Sequence, residues 1–164
     1  MAEAYPPIPP ELPGKFRTAM RRLAASVSIV VAKGENCPVG MAATSITSLT
    51  VDPPAVLVCI NRATNLHSLL VPTAPLSVNL LSRSQQDVSQ AFGGGMAQDE
   101  RFKVGTWAQG SNGLPALRGA QANLSCVIDA MLAYGTHSIV IARVIQAEFS
   151  DDVAPLIYQD GAYL

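Results

Sequence analysis

The chain has 164 residues, 49% of them apolar and only 14% charged, and a formal net charge of −1. That length suits one domain able to bury a core without metals or disulfides, and the lack of any basic block excludes the footprint of a nucleic-acid binder. No apolar run approaches the roughly 18 residues that cross a bilayer. The N-terminus is Pro-rich, not a basic stretch followed by an apolar one, so no signal peptide or anchor is expected and the chain is read as cytoplasmic.

Residues 1–14 hold Pro6, Pro7, Pro9, Pro10 and Pro13, a composition that favours an extended arm; residues 15–164 are read as one domain. FRTAMRRLAA places Phe16, Met20 and Leu23 on one helical face, with Arg17, Arg21 and Arg22 turned away. SVSIVVAK reads as a strand ended by Gly34-Glu35-Asn36. VGMAATSITSLTV and PAVLVCIN are two more extended runs, reversed at Asp52-Pro53-Pro54, whose prolines cannot donate to a ladder.

HSLLV is expected to form a brief helix, PLSVNLL a strand, and SRSQQDVSQAF a helix capped by Ser82 or Ser84 and stopped at Gly93-Gly94-Gly95. Residues 93–119 read as loop-rich. ANLSCVIDAMLAY and HSIVIARVIQAEF are two strands separated by Gly135-Thr136, and PLIYQDGAYL closes the chain. At least six strands outweigh three short helices, which argues for an all-β barrel or sandwich over alternating βαβ units. The apolar excess asks for burial in a second subunit.

The chemistry-bearing motifs are sparse. GxSxG, HExxH, the phosphate-loop GK[ST] and GxGxxG are all missing. Cys37, Cys59 and Cys126 have no zinc-ligand spacing and fit a reduced chain, with Cys59 and Cys126 serving as small hydrophobes in VLVCI and NLSCVI. His67 and His137 have no metal cluster beside them, so no metal is expected. One strand stands out, because Gly40, Ala42, Ala43, Thr44, Ser45, Thr47 and Ser48 crowd it. Small residues there would let a flat ring approach the backbone, although a tightly packed strand without a ligand has the same composition.

FRTAMRRLAASVSIVV and PVGMAATSITSLTVDPPAVLVCINRATNLHSLL, followed in order by PLSVNLL, QDVSQAF, ERF, GLPALRGAQANLSCVI, YGTHSIVIARV and PLIYQDGAY, resemble the FMN-binding split-barrel flavin reductases. These serve two-component monooxygenases, and the resemblance covers nearly the whole chain. It implies a six-stranded antiparallel Greek-key split barrel with short flanking helices, and a homodimer with flavin at the subunit interface. It also implies hydride transfer from NADH or NADPH to FMN or FAD, and a monooxygenase that receives the reduced flavin. Related proteins reduce other acceptors such as corrinoids, and a flavin-binding dimer without turnover is a further alternative.

Carried over by residue, Pro38, Val39, Gly40, Met41 and Ala42, with Thr44 and Ser45, look like the strand along the flavin ring and ribityl chain, with Gly40 permitting close approach. Cys59, Ile60, Asn61, Arg62 and Thr64, with Asn65, resemble the phosphate segment, where Arg62 brings charge and Thr64 a hydroxyl donor. Phe92, Gly93 and Gly94 match a loop near the flavin, and Arg101 beside the Gly93-Gly94 turn is the alternative phosphate contact. His137 corresponds to a histidine on the nicotinamide side of the ring. It follows Gly135-Thr136 where the family carries Gly-Asp, a variant similar to the reductase components of 4-hydroxyphenylacetate 3-monooxygenases.

Overall fold

A computed structural model describes residues 6–164, so the first five residues of the expected arm lie outside the described residues. In chain order the elements are α1 (Leu12–Met20), β1 (Ala25–Ser26), β2 (Ser28–Ala32), β3 (Val39–Ala43), β4 (Ile46–Val51), β5 (Pro54–Asn61), a 3-10 turn at His67–Leu69, and β6 (Pro75–Leu80). They continue with α2 (Gln86–Phe92), α3 (Gln98–Arg101), β7 (Trp107–Gln109), β8 (Pro115–Leu117), β9 (Ala122–Tyr134), β10 (His137–Phe149), β11 (Ile157–Gln159) and β12 (Ala162–Tyr163). The protein is mostly β with few helices, as its sequence indicates.

The helix expected from Phe16 begins earlier, at Leu12, and shortens the arm. Pro13 sits in its first turn, where the missing N–H would have no intrahelical partner in any case. No residue of α1 is buried. At α2 the expected serine caps are not used: Gln85 is the N-cap residue, and its side-chain oxygen accepts from the Ser82 N–H at 3.0 Å.

The main sheet has seven strands in the order β3-β2-β6-β9-β10-β5-β4, every neighbouring pair antiparallel. Seven replace the expected six because VGMAATSITSLTV is not one strand. It breaks at Thr44-Ser45 into β3 and β4, which occupy opposite edges of the sheet. Ala43 and Ile46 are three residues apart and so at most about 11 Å from each other. The sheet must therefore roll until its edges meet at this corner, yet no ladder joins them among the described residues.

Burial follows from the roll. Val30, Ala32, Val58, Ile60, Val78, Cys126, Ile128 and Val140 fill the inside. The opposite face of β2, with Ile29 and Val31, packs with Val88 and Phe92 of α2 and with Leu117 and Leu156. This two-sided burial explains why SIVVA lacks apolar alternation. The C-terminal β11 and β12 form a small separate sheet with β1. Among the described residues, no helix is long and apolar enough to cross a membrane.

The three cysteines are free: Cys37 is exposed, Cys59 half-buried and Cys126 buried. Burial pushes the Cys126 thiol from its ordinary value of 9.0 up to about 12. Between these values the unfolded chain loses a proton that the folded chain keeps, so Cys126 lowers stability as pH rises above about 9 and has no such effect below it. We expect a thiol reagent at pH 8 to label Cys37 in the native protein and Cys126 only after denaturation. Peptide mapping by mass spectrometry checks this, and native labelling of Cys126 would contradict its placement.

Candidate functional site

β3 is an edge strand, paired only with β2. The Gly40 carbonyl accepts from Arg101 Nη1 at 2.9 Å, which fixes it on the open side of the strand. By the two-residue alternation of a strand, Ala42 turns its N–H and C=O to the same open side. The edge therefore offers backbone donors and acceptors to whatever lies beside it.

The space that a Gly40 side chain would take is filled by the protein itself. A Cβ there would lie 2.6 Å from Phe92 Cε1, 2.9 Å from Phe92 Cδ1 and 3.2 Å from Phe102 Cζ. The glycine is required by packing. Phe92 is itself held in an aromatic trio, 5.0 Å from Phe102 and 5.5 Å from Trp107 between ring centroids, and Trp107 Nε1 donates to the Val104 carbonyl at 2.8 Å.

After α2 the chain turns through Gly94 and Gly95, at φ +123° and +82° with open space where a side chain would go. Arg101 of α3 then reaches back over this loop. Besides Gly40, its guanidinium donates to the Met96 carbonyl (3.1 Å) and to Gln98 Oε1 (3.0 Å). These acceptors are uncharged, and among the described residues no carboxylate pairs with Arg101.

The segment after β5 folds on itself. Asn61 Oδ1 accepts from the Ala63 N–H (2.9 Å), the Thr64 hydroxyl donates to the Asn61 carbonyl (2.8 Å), and the His67 N–H donates to Thr64 Oγ1 (3.2 Å). Thr64 thus spends its hydroxyl proton within the turn, and the expected donor role would need that bond to break. His67 closes the segment, with Nε2 2.9 Å from the hydroxyl of buried Ser138.

These pieces enclose a cavity of about 310 Å³. Its walls bring together Val39, Gly40, Met41 and Ala42 from β3, Thr64 and Asn65 from the turn, and Phe92, Gly93, Gly94 and Arg101 from the α2–α3 region. Leu66 and Gln98 also line it and were not singled out from sequence. Gln98 was legible as the residue one helical turn before Arg101; Leu66 reads only as a core anchor. Arg101 is the one ionisable side chain in the wall.

The remaining expected site residues do not line this cavity. Pro38 faces a separate groove with Cys37 and Trp107. Ser45 ties the corner of the sheet, its Oγ donating to the Cys59 carbonyl (2.8 Å) and its carbonyl accepting from the Cys59 N–H (3.1 Å). Ile60 is core. The Arg62 N–H donates to the Thr136 carbonyl at 2.9 Å, and its guanidinium reaches the Gly135 carbonyl at 3.5 Å. His137 Nδ1 lies 2.9 Å from Thr136 Oγ1. Arg62, Thr136 and His137 therefore form a second, exposed cluster at the β9–β10 turn.

The family model of the flavin reductase like domain matches residues 20–164. The chain belongs to this family. It is similar to the reductase component of the FADH(2)-dependent resorcinol hydroxylase of Rhizobium sp. (strain MTP-10005), 39% identical over 150 residues that cover 90% of this chain and 84% of that one. It is also similar to the FMN reductase (NADH) RutF of Pseudomonas syringae pv. syringae (strain B728a), 37% identical over 148 residues, covering 90% and 83%. Among solved structures, the Streptomyces globisporus C-1027 NADH:FAD oxidoreductase in complex with NAD and FAD fragments superposes with a TM-score of 0.87 at 25% identity, covering 98% of this chain and 96% of that one.

The packing of Gly40 in this flavin reductase yields a direct expectation. Gly40→Ala forces a methyl group against the Phe92 ring, and overpacking of this kind costs about 1–3 kcal/mol. Urea denaturation should record that loss. An unchanged midpoint would mean that Phe92 moves aside freely.

Proposed function

We propose that this flavin reductase takes a hydride from NADH or NADPH onto FMN or FAD and passes the reduced flavin to a partner monooxygenase. The observation that carries the site assignment is Arg101, with no ion-pair partner among the described residues, beside the open edge of β3 in a cavity without a carboxylate. The wall fits a phosphorylated, flat and polar heterocycle. Arg101 supplies charge for a phosphate, Asn65 and Gln98 supply amide groups, and the Ala42 backbone can read a ring edge.

When bound, flavin supplies the hydride-accepting centre and the nicotinamide supplies the hydride. The chain's part is to bind, orient and exclude water. Arg101 anchors the charged end, the α2–α3 loop covers it, and backbone dipoles along β3 stand ready for charge that develops on the ring. No side chain has to accept or donate a proton at the hydride step. We read the exposed His137 and Arg62 cluster as the approach for the nicotinamide donor, with Thr136 in place of the family's Asp as the hydrogen-bond partner of His137.

The rolled sheet is read as the split barrel of the family, and the chain as a homodimer. Supporting the dimer, Leu49, Val51, Leu132, Tyr134, Ile145 and Phe149 are large apolar side chains left exposed on β4, β9 and β10. Light scattering should give twice the mass of the chain.

Anaerobic mixing of the protein, FMN and NADH should bleach the oxidised flavin, whereas a binding module would leave it oxidised. In the same experiment His137→Ala should raise the NADH concentration needed more than the flavin concentration. The two arginines separate by titration with FMN and riboflavin. A charge-assisted hydrogen bond is worth roughly 1.5–3 kcal/mol, so Arg101→Gln should weaken FMN by about ten- to a hundredfold and leave riboflavin nearly unaffected. Arg62→Gln should change neither by more than a few-fold. The reverse pattern would return the phosphate to the Cys59–Asn65 segment.

A further inference from the structure

The open edge of β3 does not end at the cavity. Beyond Ala42 lies a second hollow of about 270 Å³, bounded by Ala43, Thr44, Ser89, Tyr158 and Tyr163. Ala42 and Gly93 belong to the walls of both hollows, so the two lie end to end along one strand. One end carries the Arg101 charge; the other is aromatic. From Gly40 to Thr44 a strand advances about 14 Å, which suits an elongated ligand with an anion at one end and a flat ring at the other.

The fold itself holds the two tyrosines. Tyr163 Oη and Ser89 Oγ are 2.8 Å apart, fixing that ring to α2. Tyr158 packs edge to face on it, with centroids 5.2 Å apart and planes at 64°. Backbone pairing sets both, since Tyr158 pairs with Tyr163 across β11–β12 and with Ala25 of β1. Tyr158 still keeps 37% of its surface exposed, which leaves aromatic surface for another ring. Rings held in this way lose little freedom on binding.

We infer that Tyr158 and Tyr163 form the seat for the flavin ring and select flat heterocycles at the end of the groove remote from Arg101. This rests on the flavin reading above. Aromatic contacts of this kind contribute enough to change affinity by about three- to tenfold. The seat acts on the ring, so it does not distinguish FMN from riboflavin, in contrast to Arg101.

The test is titration of FMN and riboflavin into the parent protein, Tyr158→Leu, Tyr158→Phe and Thr44→Phe, followed by flavin fluorescence. Tyr158→Leu should weaken both flavins by the same factor of about three to ten and brighten the bound flavin, because a stacked tyrosine quenches it. Tyr158→Phe should restore the affinity. Thr44→Phe, at an exposed position and checked for folding by circular dichroism, should fill the hollow and weaken both flavins even if Tyr158→Leu fails to fold. Parental affinities in folded Tyr158→Leu, or in Thr44→Phe, would overturn the inference. So would unchanged flavin affinities with a raised KM for NADH, which would seat the donor's ring there instead. A parent protein that binds neither flavin would instead remove the flavin reading itself.

Discussion

The whole arrangement depends on a two-residue link. Thr44 and Ser45 join strands on opposite edges of a seven-stranded sheet, and two residues cannot bridge a flat sheet of that width, because neighbouring strands lie about 4.8 Å apart. The sheet has to roll. Rolling buries one face as the core and leaves β3 as a free edge beside α2 and α3. Ser45 secures the corner with both its hydroxyl and its carbonyl on Cys59. An edge with unpaired amides is ordinarily a liability for aggregation; here it forms one wall of the candidate site, and part of it is covered by Arg101.

Much of this was legible in the sequence. β-branched runs separated by turn residues gave the strands, and the Pro-rich reversal at Asp52-Pro53-Pro54 gave the β4–β5 pairing. The break at Thr44-Ser45 was not visible, because neither residue is a turn former strong enough to interrupt a run of small and β-branched side chains. Its cause is tertiary, since the two halves pair with different partners. The short β7 and β8 have three residues each, too few for alternation to register, so the region after Gly95 read simply as loop.

Most residues that line the candidate cavity were singled out in the sequence, but not how they pack against one another. Gly40 was singled out as a place where a flavin ring approaches closely; within the fold, the group packed against its Cα is Phe92. A sequence shows that a glycine is present and cannot show which neighbour needs the space. Arg62 and Arg101 were both named as phosphate contacts, with Arg62 first because it lies in the segment that the family resemblance assigns to the phosphate. The fold turns Arg62 toward the β9–β10 turn and brings Arg101 from about 60 residues further along the chain onto the β3 edge, a relation that only non-local packing reveals.

The strand order also bears on biosynthesis. β2, β3 and β6 form one antiparallel group and β4 with β5 another, and these are bridged in the sheet only by β9 and β10. During translation, then, two partial sheets emerge connected through the Thr44-Ser45 corner, with β6 and β5 each presenting an apolar edge that has no partner yet. These edges stay open until the long hairpin of residues 122–149 leaves the ribosome and inserts between them. A nascent chain that stalls before that point would display two sticky strands at once, making the synthesis of β9 and β10 the step at which chaperone protection matters most.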